Sequence, residues 1–292
     1  MNKISTFNTA AEFLKHAQAA LEADEAVNSL ILGVCLRLRD QPAPAAGKIC
    51  LKTIEDEHGL VLAAMMTPPH NLSINGHPFD LDCSMGILVG ELRGEEWAIP
   101  GVLAPAPIAR MFAEKWAEKT GLGFHLSGHL HLCELRQAPP PPSSSGQAQL
   151  RPANQQELDL IARWFYEFTF EIFKSGDVAE ARQTAEQRIR AEDVFVWEVG
   201  DQPVSMAMKN RPTRRSMCVS HVYTPPALRG KGYATACVGE LSRQLLHSGW
   251  EFCTLFVDVN NLPAYRAYQT IGYRLVSDYE EYHFQSTNLS GK

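Results

Sequence analysis

Hydrophobic and polar positions follow a helical period in some segments of this chain and a strand-like period in others. In the first part, apolar residues recur at helical spacing in the segments 9–23, 25–36 and 108–119. Apolar, strand-like runs occupy the segments 47–52, 60–67, 84–89 and 123–135. This order, two helices, then strands, then a helix and a strand, predicts a mixed α/β domain.

A similar order of elements returns further along the chain. Helical spacing is found at 155–175, 178–191 and 234–247, and strand-like runs at 194–199, 203–209, 217–223 and 252–259. Between the two parts lies 138–149, a proline- and serine-rich stretch that has the composition of an extended linker. Because a chain of 292 residues is longer than a usual single domain, we predict two domains, 1–137 and 150–292, related by a divergent duplication.

The turn before the helix at 234–247 is the strongest chemical signal in the sequence. It reads Arg229-Gly230-Lys231-Gly232, and such a turn offers backbone N–H groups and a cation at a helix N-terminus, which suits a diphosphate. The spacings of a P-loop and of a dinucleotide-binding loop are both absent. The pattern Arg-x-x-Gly-x-Ala, at Arg229, Gly232 and Ala234, resembles the coenzyme A signature of the GNAT (Gcn5-related) N-acetyltransferase superfamily.

A second segment strengthens this resemblance. After the strand-like run 252–259, the chain matches the family element Asn-x-x-Ala-x-x-x-Tyr-x-x-x-Gly-Phe/Tyr at Asn261, Ala264, Tyr268, Gly272 and Tyr273. The resemblance implies a GNAT fold over 150–292, and the whole chain resembles tandem-GNAT proteins whose first half is degenerate. The implied fold class is α/β with a mixed sheet, and the first domain is a divergent GNAT-like unit.

The first domain lacks the residues that carry this chemistry in the second. The stretch 100–107, which precedes the last predicted helix of this domain, has no Arg-x-x-Gly-x-Gly, and no tyrosine occurs between Met1 and Pro142. We therefore expect the first domain not to be catalytic. It would be structural or would shape the substrate pocket.

The resemblance assigns roles to particular residues of the second domain. The backbone of Val222, Tyr223 and Thr224 would pair with the pantetheine arm of coenzyme A. The pyrophosphate would be held by the loop residues Arg229, Gly230, Lys231, Gly232, Tyr233, Ala234 and Thr235. Two further cofactor-binding positions are Asn261 and Ala264. Tyr268 matches the tyrosine that protonates the departing thiolate, and Tyr265, one turn earlier, is the alternative.

The base that takes the proton of the amine is less well defined by the sequence. His221 lies in the strand before the loop, beside the presumed acetyl position, and is our candidate. A structural role for His221 is an equal alternative, and Glu167, Glu171 and Asp258 are alternative bases.

The implied function is transfer of an acetyl group from acetyl-coenzyme A to a primary amine of a small molecule or peptide, by direct transfer in a ternary complex and without a metal. Two alternatives remain: an acyltransferase with another acyl donor or a hydroxyl acceptor, and a GNAT-fold sensor that binds acyl-coenzyme A without turnover. Retention of Tyr268 argues against the sensor, because a sensor needs only the phosphate loop.

The composition limits the partners and the cellular location that we expect for this protein. The formal charge of −6 gives little support to a nucleic-acid partner and weakly suits a cationic amine. No apolar run approaches the length of a membrane span, and the start lacks the features of a signal peptide, so we expect a cytoplasmic protein without a membrane partner. The seven cysteines form no Cys-x-x-Cys pair and are expected to be buried thiols.

Two clusters of charged or polar residues are read as structural. His125, His129 and His131 lie in a strand-like run, which argues against a metal site. Arg211, Arg214 and Arg215 are expected to form a solvated hairpin turn. The aromatic run 164–166 fits either a core or an interface, so the oligomeric state stays open.

Overall fold

The computed structural model describes residues 2–40, 48–76, 81–140 and 148–286, and its helices cover both faces of one β-sheet. The first half contains β1 (Lys3–Thr6), α1 (Ala10–Ala23), α2 (Ser29–Asp40), β2 (Cys50–Asp56), β3 (Gly59–Met66), β4 (Leu72–Gly76), α3 (Leu81–Gly94), β5 (Gly101–Pro105), α4 (Ala106–Thr120) and β6 (Gly123–Leu135). The second half contains β7 (Ala148–Pro152), α5 (Leu158–Phe173), α6 (Val178–Arg190), β8 (Val194–Val199), β9 (Gln202–Asn210), β10 (Ser216–Tyr223), α7 (Tyr233–His247), β11 (Phe252–Asp258), α8 (Leu262–Ile271) and β12 (Arg274–Gln285).

The twelve strands form a single sheet in the order β1-β2-β3-β4-β5-β12-β6-β11-β10-β9-β8-β7. Neighbouring strands are antiparallel except at two places, where β4 pairs with β5 and β10 pairs with β11 in parallel. The predicted α/β fold with a mixed sheet is therefore confirmed.

The two halves exchange their last strands. β6, from the first half, lies between β11 and β12 of the second, and β12, from the second half, lies between β5 and β6 of the first. β6 and β12 are the longest strands and pair along nearly their whole lengths, from Glu134 with Arg274 to Gly123 with Gln285. Each half is thus completed by a strand of the other.

This exchange bears on the predicted domain limits, 1–137 and 150–292. The limits describe the order along the chain, whereas each half of the sheet includes a strand from the other half. Within the predicted linker, residues 141–147 lie outside the described residues, and β7 already begins at Ala148. The domain limits therefore stay a prediction.

Alternate residues of the strands face two helix layers. In the first half, Leu51 and Ala63 pack with α1 and α2, whereas Ile54 and Leu62 pack with α3 and α4. In the second half, Met206 and Met208 pack with α5 and α6, whereas Ala207 lies in the core that includes residues of α7 and α8. Four apolar cores, two for each half, hold the helices to the sheet.

The first helix pair of each half lies on the same face of the sheet. Phe256 of β11 points away from its neighbours Leu255 and Val257, which belong to the core under α7 and α8. Its ring contacts that of Tyr279 at 5.1 Å, and the Tyr279 hydroxyl donates a hydrogen bond to the carbonyl oxygen of Val27 in the connection between α1 and α2. The face that carries α5 and α6 is therefore also the face that carries α1 and α2.

One predicted element is wrong. The segment 84–89, predicted as a strand, lies inside α3. Leu81, Met85, Leu88 and Leu92 are buried at helical spacing, while Gly86 and Gly90 weakened the helical signal in the sequence. Three short strands, β1, β4 and β5, were not predicted.

This error also changes which segment of the first half corresponds to the glycine loop. The stretch 100–107 is β5 and the start of α4, so it was the wrong segment to compare. The counterpart of the loop between β10 and α7 lies between β4 and α3, where residues 77–80 are outside the described residues. Their sequence, His77-Pro78-Phe79-Asp80, contains neither arginine nor glycine, so the absence of the signature still holds at the level of sequence.

Among the described residues, no helix combines the length and the apolar character that crossing a bilayer requires.

Candidate active site

The sheet opens between β10 and β11. These parallel strands pair over only three residues each, Ser216–Cys218 with Phe252–Thr254. Beyond this point β10 continues along β9 to Tyr223, whereas β11 continues along β6 to Asp258. The backbone of β10 after Cys218 consequently faces a gap, and the predicted pantetheine positions, Val222 to Thr224, lie on its border.

A bulge marks the start of this opening. The register between β9 and β10 shifts between Ser220 and Tyr223, and His221 within the shift has a positive φ of 49°. The imidazole of His221 lies against two rings of α5, those of Phe165 at 5.0 Å and Phe168 at 4.9 Å. The bulge thus turns His221 toward α5.

This environment makes His221 a weak proton acceptor. Burial lowers the pKa of His221 to about 4, and the positive charges of Arg211 and Arg188 contribute to the shift. The imidazole is therefore neutral at pH 7 and holds a proton less strongly than an ordinary histidine. The geometry favours a structural role for His221. Its role as the base stays a prediction.

The glycine loop presents a row of unused backbone N–H groups. Gly230 and Gly232 have φ angles of 78° and 76°, the left-handed region that glycine adopts without strain. The helices α1, α6 and α8 begin with side-chain caps from Thr9, Asp177 and Asn261, whereas the residue before α7 is Gly232, which has no side chain to cap the helix. None of the amides of residues 230–235 has an acceptor among the described residues. This row of amides is suited to bind an anion.

Arg229 closes the loop instead of pointing freely into it. Its Nε donates to the carbonyl oxygen of Thr224 at 2.8 Å, and its guanidinium pairs with the Glu171 carboxylate at 2.6 Å. The loop is thereby attached to the end of β10 and to α5. Lys231, in contrast, is exposed and makes no hydrogen bond or ion pair with any described residue.

Tyr268 lies in the core between α7, α8 and the sheet. It is 7% exposed, and its ring packs against that of Tyr273 with a centroid distance of 6.0 Å. Burial raises the pKa of the Tyr268 phenol well above its usual range, and the neighbouring thiols of Cys237 and Cys133 act in the same direction. Its hydroxyl makes no hydrogen bond with any described residue, so it is a protonated group with a donor to spare.

The alternative tyrosine faces a different neighbour. Tyr265 contacts the ring of His131 at 4.8 Å, and the Nδ1 atom of His131 lies 2.6 Å from Asp278. Tyr265 therefore points toward the exchanged strands β6 and β12, whereas Tyr268 lies in the core with residues of β10, β11 and α7. The predicted acid and its alternative are separated in the structure.

The three alternative bases all have hydrogen-bond partners. Glu167 accepts a hydrogen bond from the Tyr223 hydroxyl at 2.9 Å, and burial together with this bond raises the pKa of Tyr223 to about 12. Glu171 pairs with Arg229, and Asp258 accepts from the backbone amide of Asn260 at 2.7 Å. None of these carboxylates is held free at the opening.

Several other predicted residues have structural roles in this region. The Oδ1 atom of Asn261 accepts a hydrogen bond from the amide of Ala264 at 3.2 Å, so this pair forms the start of α8. The hydroxyl of Thr224 is 2.8 Å from that of Ser205, which also donates to the carbonyl oxygen of Tyr223. Ser205 was missed by the sequence analysis, since a polar residue within an apolar strand run carries no motif.

The arginine turn that the sequence analysis read as structural has a different environment from the expected one. The turn that carries Arg214 and Arg215 was expected to be solvated, but it contacts the first half, where Arg215 pairs with the fully buried Glu25 at 2.7 Å and Arg214 with Glu22 at 3.2 Å. That expectation is wrong, because the partner carboxylates come from residues far away in the sequence. Six of the seven cysteines are buried and free, and Cys83 is exposed.

Comparison with solved structures defines the class to which this architecture belongs. A GCN5-related N-acetyltransferase from Sphaerobacter thermophilus is similar over 100% of this chain and 98% of its own, with 18% identity and a TM-score of 0.62. A GNAT-family acetyltransferase from Colwellia psychrerythraea is similar over 98% of this chain and 100% of its own, with 13% identity and a TM-score of 0.57. A tandem GNAT protein from the clavulanic acid biosynthesis pathway matches over 100% of both chains, with 11% identity and a TM-score of 0.57.

These likenesses establish a tandem GNAT fold for the whole chain. In addition, residues 158–273 match the family model of the acetyltransferase (GNAT) family. The match covers most of the second half of the chain, and acyl transfer is the general activity that this family supports. No curated protein gives a significant match to the chain.

Proposed function

We propose that the second half transfers an acetyl group from acetyl-coenzyme A to a primary amine of a small molecule or peptide, by direct transfer in a ternary complex. The observation that carries the proposal is the combination of three features in one part of the sheet: the gap between β10 and β11, the free amides of residues 230–235 that follow β10, and the Tyr268 phenol in the core shared by β10, β11 and α7. The coenzyme supplies a thioester that an amine can attack. The match of residues 158–273 to the model of the acetyltransferase (GNAT) family supports this reaction class.

The chain would bind the coenzyme through its backbone. The amides of residues 230–235 would bind the pyrophosphate, and the unpaired edge of β10 near Val222 would pair with the pantetheine arm. Glycine at positions 230 and 232 allows the left-handed backbone of the loop. A Cβ atom at either position would meet nothing within 4 Å, but a residue with a side chain would be strained by the positive φ. The ion pair of Arg229 with Glu171 would fix the loop before binding.

Tyr268 would donate a proton to the departing thiolate. A free thiol has a pKa of about 8.5 and a phenol of about 10, and burial raises that of Tyr268 further. The phenol therefore stays protonated at neutral pH, and donation depends on its proximity to the sulfur atom. Glu167, Glu171 and Asp258 all have hydrogen-bond partners and His221 is a weak base, so the amine would lose its proton through water, with His221 shaping the site.

Steady-state coenzyme A release tests the proposal. With acetyl-coenzyme A and a panel of amines, we expect turnover that Tyr268→Phe lowers about a hundredfold in kcat, in the range usual for general acids. Tyr265→Phe is the matched control, because it removes the same hydroxyl one helical turn away, and it should leave kcat within about twofold.

Two outcomes would contradict the proposal. Tight binding of acetyl-coenzyme A without turnover of any amine or alcohol would favour the sensor. Equal activity of Tyr268→Phe and the wild type would remove Tyr268 from the reaction. We place the protein in the cytoplasm, where acyl-coenzyme A is available, and fractionation of the native source checks this.

A further inference from the structure

Helix α2 of the first half lies directly against the turn between β9 and β10. A Cβ atom at Gly33 would stand 2.6 Å from the Cβ atom of Arg211, so only glycine permits this approach of α2. Arg37 follows Gly33 by four residues and therefore lies on the same face of α2. Two arginines, one from each half, thus meet at this contact.

A third arginine joins them from α6. Arg188 pairs with Asp193 at 3.1 Å, and its charge acts on both Arg37 and His221. Although Arg37 as a whole residue is exposed, desolvation of its guanidinium lowers its pKa, and the positive charges of Arg188 and Arg211 lower it further. We call Arg37, Arg188 and Arg211 the arginine cluster.

The arginine cluster is short of negative partners. Arg37 makes no ion pair or hydrogen bond with any described residue. The guanidinium of Arg211 donates only to the sulfur atom of Cys218, at 3.0 Å, and Asp193 is the single carboxylate paired with the cluster among the described residues. In a chain of formal charge −6, three neighbouring guanidinium groups of which only Arg188 is paired with a carboxylate are an arrangement that an anion would stabilise.

The cluster lies beside the place where the acceptor has to arrive. Arg211 of the cluster donates to the sulfur atom of Cys218, which is the last residue of β10 that pairs with β11, and the charges of Arg211 and Arg188 lower the pKa of His221 in the bulge that follows. His221 faces α5, and α2 lies on the same face of the sheet as α5 and α6. An amine approaching the thioester from this face would therefore come from the side of the sheet on which the cluster lies.

We infer that the acceptor is an amine that also carries an anionic group, a carboxylate or a phosphate, and that the arginine cluster binds this group. The inference rests on the proposed acetyltransferase function and names its substrate class. It replaces the cationic acceptor that the overall charge suggested. It also gives the first half a part in substrate selection, because Arg37 belongs to α2.

Matched amines test the inference with the full-length protein. Coenzyme A release is measured with β-alanine, 2-aminoethyl phosphate and n-propylamine, and with phenylalanine beside phenethylamine. We expect kcat/KM at least about tenfold higher for the anionic member of a pair, equivalent to the binding of one charged group. Preference between β-alanine and 2-aminoethyl phosphate distinguishes a carboxylate from a phosphate. Equal or better turnover of n-propylamine and phenethylamine would overturn the inference.

Charge-removing variants locate the effect. Arg37→Gln should raise KM for the anionic amine about tenfold while kcat and the KM of the uncharged analogue change less than about twofold. Arg39→Gln is the matched control, because Arg39 lies on the same helix, is exposed and pairs with its neighbour Asp40. An equal effect of both substitutions, or an equal effect on both kinds of amine, would contradict a site at the cluster.

A binding measurement separates failure of the inference from failure of the proposed function. Inorganic phosphate is titrated into protein saturated with acetyl-coenzyme A, which occupies the glycine loop, at constant ionic strength. Weaker phosphate binding by Arg37→Gln than by Arg39→Gln supports the anion site. If this difference is found but no amine is turned over, the anion site stands and only the proposed acetyltransferase function fails. Identical phosphate binding by both variants would overturn the site.

Discussion

The two halves open their sheets in the same way and differ in what surrounds the opening. In the first half, β4 and β5 pair only at Leu72 with Val102 and Ser73 with Leu103, after which β4 continues along β3. β10 and β11 separate after a similarly short pairing. The loop of free amides follows only the second of these openings. The separation of the strands is therefore a property of the fold, and the coenzyme chemistry is a property of the loop.

The helices after each opening show the same contrast. α4 begins Ala-Pro and α8 begins Leu-Pro, and each has an arginine at its fifth position, Arg110 and Arg266. The seventh position is Phe112 in α4 and Tyr268 in α8. Phe112 is fully buried and stacks on Trp116. The first half thus has a packing residue where the second has a hydroxyl.

The largest effect is expected when the two halves of the chain are separated. Fragments 1–140 and 148–292 each lack a central strand, β12 or β6, and expose an unpaired strand edge. We expect neither fragment alone to unfold cooperatively, and co-expression to give a folded pair, as judged by circular dichroism and sedimentation. A fragment that folds as a monomer would show that the exchange is dispensable.

The contact between the halves should be the next most sensitive feature. Burial alone would raise the pKa of Glu25, but hydrogen bonds from Thr213 and Arg215 lower it, so its contribution is present above its ordinary pKa and is lost as the pH falls through the lowered value. Glu25→Gln should reduce the free energy of unfolding by about 3 kcal/mol at pH 7. Urea denaturation measures this, and the exposed Glu57→Gln is the control.

The pH dependence of stability tests the environment of the partly buried His221. Its pKa is lowered from 6.5 to about 4, so between these values the unfolded state binds a proton that the folded state does not, and stability falls as the pH is lowered. The loss over this window should be about 2 kcal/mol. His221→Asn, whose side chain tolerates a positive φ, should flatten the dependence. The exposed His58→Asn should not.

Gly232 tests the loop that only the second half has. Alanine at a φ of 76° is strained by about 1–2 kcal/mol, and relief of that strain would turn the amides away from the anion. We expect Gly232→Ala to weaken coenzyme A binding about tenfold by titration calorimetry. Gly249→Ala is the control, because Gly249 also has a positive φ, of 109°, and lies outside the loop. If both variants bind equally, the amides are not the binding site.

The smallest effect concerns Asn261. Loss of the cap at the start of α8 should cost about 1 kcal/mol of stability in Asn261→Ala. Affinity for coenzyme A should change little if Asn261 acts only as a cap. A large loss of affinity with unchanged stability would restore its predicted role in binding the cofactor.

The parts of the fold that were predicted have local signals. The glycine loop, α7 and β11 follow from residues adjacent in sequence, and the order of motifs is enough to place Tyr268 on α8. The exchange of β6 and β12 has no such signal, because an apolar strand does not encode its neighbour in the sheet. The arginine cluster was missed for the same reason, since Arg37 and Arg211 meet only through the contact of α2 at Gly33.

The exchange of β6 and β12 also sets the order in which the chain can be completed during synthesis. β5 is made early, but its neighbour β12 is made only after β7 to β11 of the second half. Until then the first half exposes an unpaired edge, and its long-range pairing is of the kind that folds slowly. The nascent first half must therefore wait for β12, and chaperones that cover strand edges should bind it during translation.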